Sequence, residues 1–441
     1  MGRVWVCNTD VESEWDIPEH AEMPYRGIRQ IIFNHFEEIL LTGLDSFDTA
    51  ILRKAPDPEF VEYLDCLGIE SSSILLAGES AAKPWLPTSQ LAAQDNTLIN
   101  ILTKQVADGM IDTLECFGVS KNIEQISRLS GLLIPYSGSE LSKSISRKSF
   151  SRKLAKELGL HFPDGEICSG SKEIVETVKA VRFRNKGSPV VIKPDMGAAG
   201  KGQFLVLNPE DIDHLIGPRG RGDLEALGTA CVVERWFPEA TTVSYEFHVG
   251  KDGQISRPII PRLALADKRG NDYGYIYPVK LEDKYLNEIK RASNVLADEL
   301  RKRYHYHGPV RCDALILQDG RLFPMLELNA RHSFFHFIDS LHNKLSDQSI
   351  GLFCWFFFRT EKTLDFAKFI AEFIGKELLF NPETKEGVIV PLWSTVKGAE
   401  SIKSFDADYS LRRLFILIIS ESSRRAINAV NVIKGKLDKI A

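Results

Sequence analysis

The chain has 441 residues, 44% of them hydrophobic, with 55 Lys and Arg against 60 Asp and Glu for a net charge of −5. That length exceeds one compact core and points to two or three domains, while the acidic balance argues against a generic nucleic-acid binder. The apolar runs 350–358 and 414–420 are too short to span a bilayer, and Met1-Gly2-Arg3-Val4-Trp5 lacks the apolar stretch of a secretion signal.

Residues 4–7 and 49–52 read as strands, and a helix starts near Pro56-Asp57-Pro58 with Phe60, Leu64 and Leu67 on one face. Residues 73–77 read as a strand, 96–117 as one long amphipathic helix, and 132–135 as a further strand. This βα alternation predicts a small sheet with helices on its faces. The Ser-rich stretch 137–149 reads as a linker. A helix follows at 148–158, with Phe150, Leu154 and Leu158 spaced by four and Gly159 ending it. Strands are predicted at 188–193, 203–207, 230–234 and 243–249, and a helix at 281–304. The pair 311–317 and 322–328 is joined by Gln318-Asp319-Gly320, a hairpin signal. The last 90 residues mix aromatic helix and strand signals, and no repeat is visible.

Seven cysteines, widely spaced and without a CxxC pair, exclude a zinc knuckle or thioredoxin-like site. They fit free thiols in a reducing cytoplasm.

Three segments carry chemistry. In the first, a buried strand 190–192 delivers Lys193, and Gly197, Gly200, Lys201 and Gly202 shape the loop behind it. Glycines let backbone N–H groups approach phosphate oxygens, and a lysine at the strand end neutralises them. The plain alternative is a hairpin with a mobile loop. A Walker loop is excluded because Gly202, not Ser or Thr, follows Lys201, and GxGxxG is absent from this loop. In the second, Glu327, Asn329 and Arg331 alternate onto one face of a strand, and the hairpin can bring Asp313 opposite them. Two carboxylates and an amide oxygen make a hard-oxygen site suited to magnesium, and an adjacent arginine suits a phosphoryl group in transfer. An edge strand with exposed polar residues is the alternative there. The third is Val232-Val233-Glu234-Arg235-Trp236-Phe237, which can offer backbone groups and an apolar slot to a nucleobase or can be plain core.

In this order the segments resemble the ATP-grasp superfamily over residues 140–345. The resemblance implies an α/β (α+β) architecture: a pre-ATP-grasp βα domain at 1–140, two lobes at 141–236 and 237–345 that clamp ATP, and a C-terminal subdomain at 346–441. It implies a ligase that passes the γ-phosphate of ATP to a carboxylate and the resulting acyl group to a nucleophile. Lys148 and Lys193 would bind phosphates, the loop 197–202 would close over them, and Glu234, Arg235, Trp236 and Phe237 would face adenine. Asp313, Glu327 and Asn329 would hold one or two Mg2+ ions, and Arg331 would stabilise the phosphoryl group. Many family members place an acid for the ribose seven residues after the adenine-side Glu; here that position is Thr241, and Glu239 is a nearby substitute.

Arg262, Lys268 and Arg311 are candidates for anchoring a substrate carboxylate, Lys268 lying in a Gly- and Tyr-rich loop that reads equally as an exposed loop. Ser244, Glu246 and His248 share a strand face, and His332 and His336 read as core or as packing around the site. The outer regions resemble ligases of antibiotic and peptide biosynthesis. That implies an amino acid or peptide as substrate and an amine as acceptor, or else the thiol of an acyl-carrier protein, for which the clusters 182–186 and 219–221 are weak basic candidates. A non-catalytic nucleotide-binding protein and a hydroxyl phosphotransferase are the readings from other classes.

Overall fold

The computed structural model describes residues 2–9, 11–16, 28–70, 72–78, 83–197, 203–216, 230–256, 259–266, 272–346, 349–360, 363–397 and 411–439. The chain forms two compact units: Met1–Ser139 with Tyr273–Pro278 and His332–Ala441, and Glu140–Asp272 with Val279–Arg331.

In the first unit, β1 (Gly2–Val6), β2 (Thr49–Leu52), β3 (Ser73–Leu76) and β4 (Ile111–Cys116) form a parallel sheet in the order β3-β2-β1-β4. The helix Pro58–Cys66 begins where its sequence predicts, with the Asp57 carboxylate accepting from the Glu59 N–H at 3.0 Å. The predicted helix over 96–117 is instead the helix Asn96–Ala107 followed by β4. Gly109, at φ +70°, ends the helix, and Ile111 and Leu114 continue the helical spacing only by coincidence while packing as strand residues. Residues 132–135 form no strand beyond one bridge between Thr113 and Leu133.

The helix Ser139–Ile145 stands where a linker was expected, and the helix Lys148–Glu157 follows where the sequence predicts one. Their serines have bonding work: Ser146 Oγ accepts the Ala330 N–H and Ser151 Oγ the Leu328 N–H, both at 2.9 Å. The strands β5 (Gly165–Cys168), β6 (Val190–Pro194), β7 (Phe204–Val206) and β8 (Cys231–Arg235) form an antiparallel sheet in the order β5-β8-β6-β7. The helix Ser171–Arg184 packs on it through Ile174, Val178 and Val181. Next come β9 (Thr241–Val249) and β10 (Arg262–Ala266); β11 (Asp272–Tyr277) falls mostly in the first unit; β12 (Gly308–Ile316) and β13 (Leu322–Asn329) complete the run β13-β12-β9-β10.

Alternation gives that run two chemically distinct faces. Val243, Tyr245, Phe247, Cys312 and Ala314 pack in one core with Ile289, Leu296 and Leu300 of the helix Asp283–Tyr304. On the opposite face, Glu327, Asp313, Ser244 and Arg262 lie in one cross-strand row, and Asn329, Arg311 and Glu246 in the next. The predicted hairpin turn is present, with Gly320 at φ +81°.

Back in the first unit, β14 (Ile350–Arg359), β15 (Gly387–Ile389) and β16 (Leu411–Ser420) extend β11 in the order β11-β14-β16-β15. The two greasy runs of the sequence are therefore ladder partners from Ile350↔Ser420 to Arg359↔Leu411, and all of β16 is buried. Among the described residues no helix is long and apolar enough to cross a membrane. Of the seven thiols, all free, only Cys66 is exposed.

Candidate functional site

The site grows from the N-terminus of the helix Lys148–Glu157. Its N-cap residue, Arg147, supplies no side-chain cap. The end of β6 does so instead: Asp195 accepts the Ser149 N–H on Oδ1 at 2.8 Å and the Lys148 N–H on its carbonyl at 3.0 Å, and pairs with Arg147 at 2.9 Å. One aspartate thus ties the first turn of the helix to the strand that carries Lys193, and sets Lys148 and Lys193 in one cleft. That cleft is lined by Lys148, Arg152, Phe162, Lys193, Glu234 and Glu327, among others.

Its charges are tightly paired. Lys148 Nζ donates to the Gly197 carbonyl at 2.8 Å and lies 3.4 Å from Glu327 Oε2. Lys193 Nζ meets Glu234 Oε1 at 2.7 Å, and the other Glu234 oxygen takes Arg152 Nη1 at 3.1 Å. Arg152 also donates to the carbonyls of Pro163 and Gly165. Burial alone would lower the Lys193 ammonium, but Glu234, then Glu327, more than offset it and hold its pKa above the ordinary value. Three cations against two carboxylates leave the cleft positive, as a polyphosphate requires.

Glu327 and Asp313 stand opposite each other on β13 and β12. Directly before Glu327 the register shifts: Asp313 pairs with Glu327 but Leu315 with Phe323, so β13 bulges around Pro324, which has no N–H for the ladder. Bulges commonly re-aim a side chain beside a site. β13 is indeed an edge strand, as the alternative reading had it, but Ser146 and Ser151 occupy its outer N–H groups.

The two carboxylates differ in titration. Burial pushes Asp313 up to about 6, with Glu327 adding to the rise and Arg311, 3.1 Å away, opposing it. Burial also works against ionised Glu327, but Lys148 and then Lys193 overcome it and hold that carboxyl well below the usual range. Neighbouring carboxylates that cannot both ionise comfortably, with the Asn329 amide beyond them, form a hard-oxygen set that a divalent cation would relieve. Among the described residues no cluster of three His, Cys, Asp or Glu side chains offers a metal site, so oxygens from a bound ligand would have to complete the shell.

Arg331 is buried beside this pair, with Nη2 3.4 Å from Asn329 Oδ1. Arg311 and Arg262 lie on the same polar sheet face, Arg262 only 2% exposed. In the segment 232–237, the Arg235 and Trp236 N–H groups are already taken by the carbonyls of Asp164 and Pro189, both at 2.8 Å. The Phe237 ring meets Phe323 edge-on at 5.5 Å. Thr241 and Glu239 are exposed. His332 and His336 belong to the first unit, where His336 stacks on Trp5 and His332 bonds to Tyr136. Gly200, Lys201, Gly202 and Lys268, with the cluster 219–221, lie outside the described residues. The sequence reading missed Arg152 and Asp195. Arg152, four residues after Lys148 and so on the same helix face, carried a visible signal; the capping role of Asp195 is made only by tertiary contact.

Residues 39–132 match the family model described as the Pre ATP-grasp domain. A solved N5-carboxyaminoimidazole ribonucleotide synthetase in complex with ADP superposes with a TM-score of 0.57 at 12% identity, covering 100% of this chain and 97% of that one. The chain has the ATP-grasp fold. Among its ATP-grasp neighbours is an L-amino acid ligase from Bacillus licheniformis, with a TM-score of 0.50 at 11% identity, covering 99% of this chain and 98% of that one. In sequence it is 26% identical over 239 residues to the formate-dependent phosphoribosylglycinamide formyltransferase of Syntrophotalea carbinolica, 53% of this chain and 57% of that relative. The chain spans about half the length of the curated relatives it matches.

Proposed function

We propose that the protein is an ATP-dependent, Mg2+-requiring carboxylate ligase. The observation that carries this is the single cleft in which Lys148 and Lys193 meet Glu327, itself paired across the hairpin with Asp313. Lys148 and Lys193 exchange their carboxylate partners for phosphate oxygens, and a base sits at Glu234–Phe237 against carbonyls and the Phe237 N–H. Asp313, Glu327 and Asn329 hold one or two Mg2+ ions, which supply charge neutralisation for the phosphates. A substrate carboxylate oxygen attacks the γ-phosphorus, the bond to the β-phosphate oxygen breaks, and ADP leaves. The acceptor nitrogen then attacks the acyl carbon, phosphate departs and the nitrogen loses a proton. Arg331 stabilises the transferred phosphoryl group, and Arg262, Lys268 and Arg311 orient the carboxylate. Positioning and charge do the work, and no protein nucleophile is required.

The finer assignment is an amino acid or other small carboxylic acid joined to an amine. A relative named as formate-dependent and a neighbour named an L-amino acid ligase support it; neither name supports the narrower setting of antibiotic or peptide biosynthesis. A carrier-protein thiol is the alternative acceptor. The test is ADP release with a panel of carboxylates, with and without acceptors, in the presence of hydroxylamine. A carboxylate-dependent hydroxamate, lost in Lys193→Ala and Glu327→Gln, is the expected result. A stable phosphorylated product, or full turnover in both variants, overturns the assignment.

A further inference from the structure

A second cavity, of about 240 Å³, lies wholly within the first unit. It opens at the carboxyl end of β2, the end at which open parallel sheets gather ligands. Its wall includes His35, Glu37, Glu38, Lys54, Trp393 and Lys397. Among the described residues, two of these carry charges without a matching partner. Glu38, 3% exposed, uses one oxygen, Oε2, to accept the N–H groups of Trp393 and Ser394. Its other oxygen has no hydrogen-bond partner among the described residues, and neither does the Lys54 ammonium. By contrast Glu37 is bound by the Arg53 N–H and the Thr88 hydroxyl, and Lys397 is paired with Asp57. Lys54 and Glu38 feel each other's charge but form no ion pair.

Charge withdrawn from water is costly unless it is paired. Glu38 is buried and burial pushes its carboxyl up, whereas Lys54 lines the same cavity from an exposed position. A ligand bearing both signs meets the Glu38 carboxylate with its cation and Lys54 with its anion. The cavity has room for a molecule of amino-acid size.

We propose that this cavity binds a small zwitterion, an amino acid or amino-acid-like compound, with its ammonium against Glu38 and its carboxylate against Lys54. This site is independent of the nucleotide reading of the second unit. The test is calorimetric titration of the full chain with glycine, L-alanine and L-phenylalanine, with propionate and ethylamine as half-molecule controls. At least one amino acid binds, and the half-molecules bind about tenfold or more weakly than it. Lys54→Met and Glu38→Gln each weaken that binding by about tenfold or more, whereas Lys193→Ala leaves it unchanged. ADP titration of the Lys54 and Glu38 variants shows separately that they are folded. The proposal is overturned if none of the three amino acids binds. It is equally overturned if Lys54→Met and Glu38→Gln both bind as wild type, or if Lys193→Ala abolishes binding that Lys54→Met retains.

Discussion

Asp313→Asn offers the sharpest check on the proposed metal site. An asparagine mimics the protonated aspartate, which the fold prefers: burial raises Asp313 to about 6 from an ordinary value near 3.9. A raised carboxyl contributes stability at low pH that is lost as pH climbs through its folded value. Wild type should therefore lose stability between about pH 4 and pH 6 from this group, while Asp313→Asn should not. Holding a carboxyl about two pH units above its ordinary value costs the ionised form about 3 kcal/mol. The side chain is 20% exposed and faces Arg311, so water screening brings the expected gain to about 1–3 kcal/mol at pH 7.5. For a unit of this size that is roughly 2–10 °C in melting temperature. The assay is thermal unfolding of both proteins from pH 4.5 to 8, with and without Mg2+. The variant should be the more stable above pH 6 without metal, the difference should shrink to about a third of that near pH 4.5, and Mg2+ with ADP should stabilise wild type alone. A variant equal to or less stable than wild type at every pH would refute the strained-carboxylate argument.

Three further outcomes follow. Arg152→Met leaves Glu234 with only Lys193 in a buried setting, so it should lower stability by about 3 kcal/mol in denaturant titration. Asp195→Ala removes the cap of the helix Lys148–Glu157 and its bond to the exposed Arg147, which should cost about 1–2 kcal/mol and weaken ADP binding by displacing Lys148. Ellman titration of the native protein should count one fast thiol, Cys66, and seven after unfolding; two or more fast thiols would contradict the burial of the rest.

The sequence by itself determined the side chains of the cleft and their order along the chain. The strand ending in Lys193, the hairpin at Gln318-Asp319-Gly320 and the alternation of Glu327 with Asn329 are local facts, fixed by side-chain period and turn chemistry. The starts of the helices Pro58–Cys66 and Lys148–Glu157 were both legible, but the source of the second cap was not: Asp57 is local, whereas Asp195 comes from the end of β6. The serines near residue 146 read as linker because their partners, the edge N–H groups of β13, lie some 180 residues away. Only the tertiary structure decided that Arg152 neutralises Glu234, that a bulge at Pro324 aims Glu327, and that Asp313 and Glu327 titrate apart. Each of these depends on distance and desolvation between segments remote in sequence, quantities that no pattern of neighbouring residues encodes.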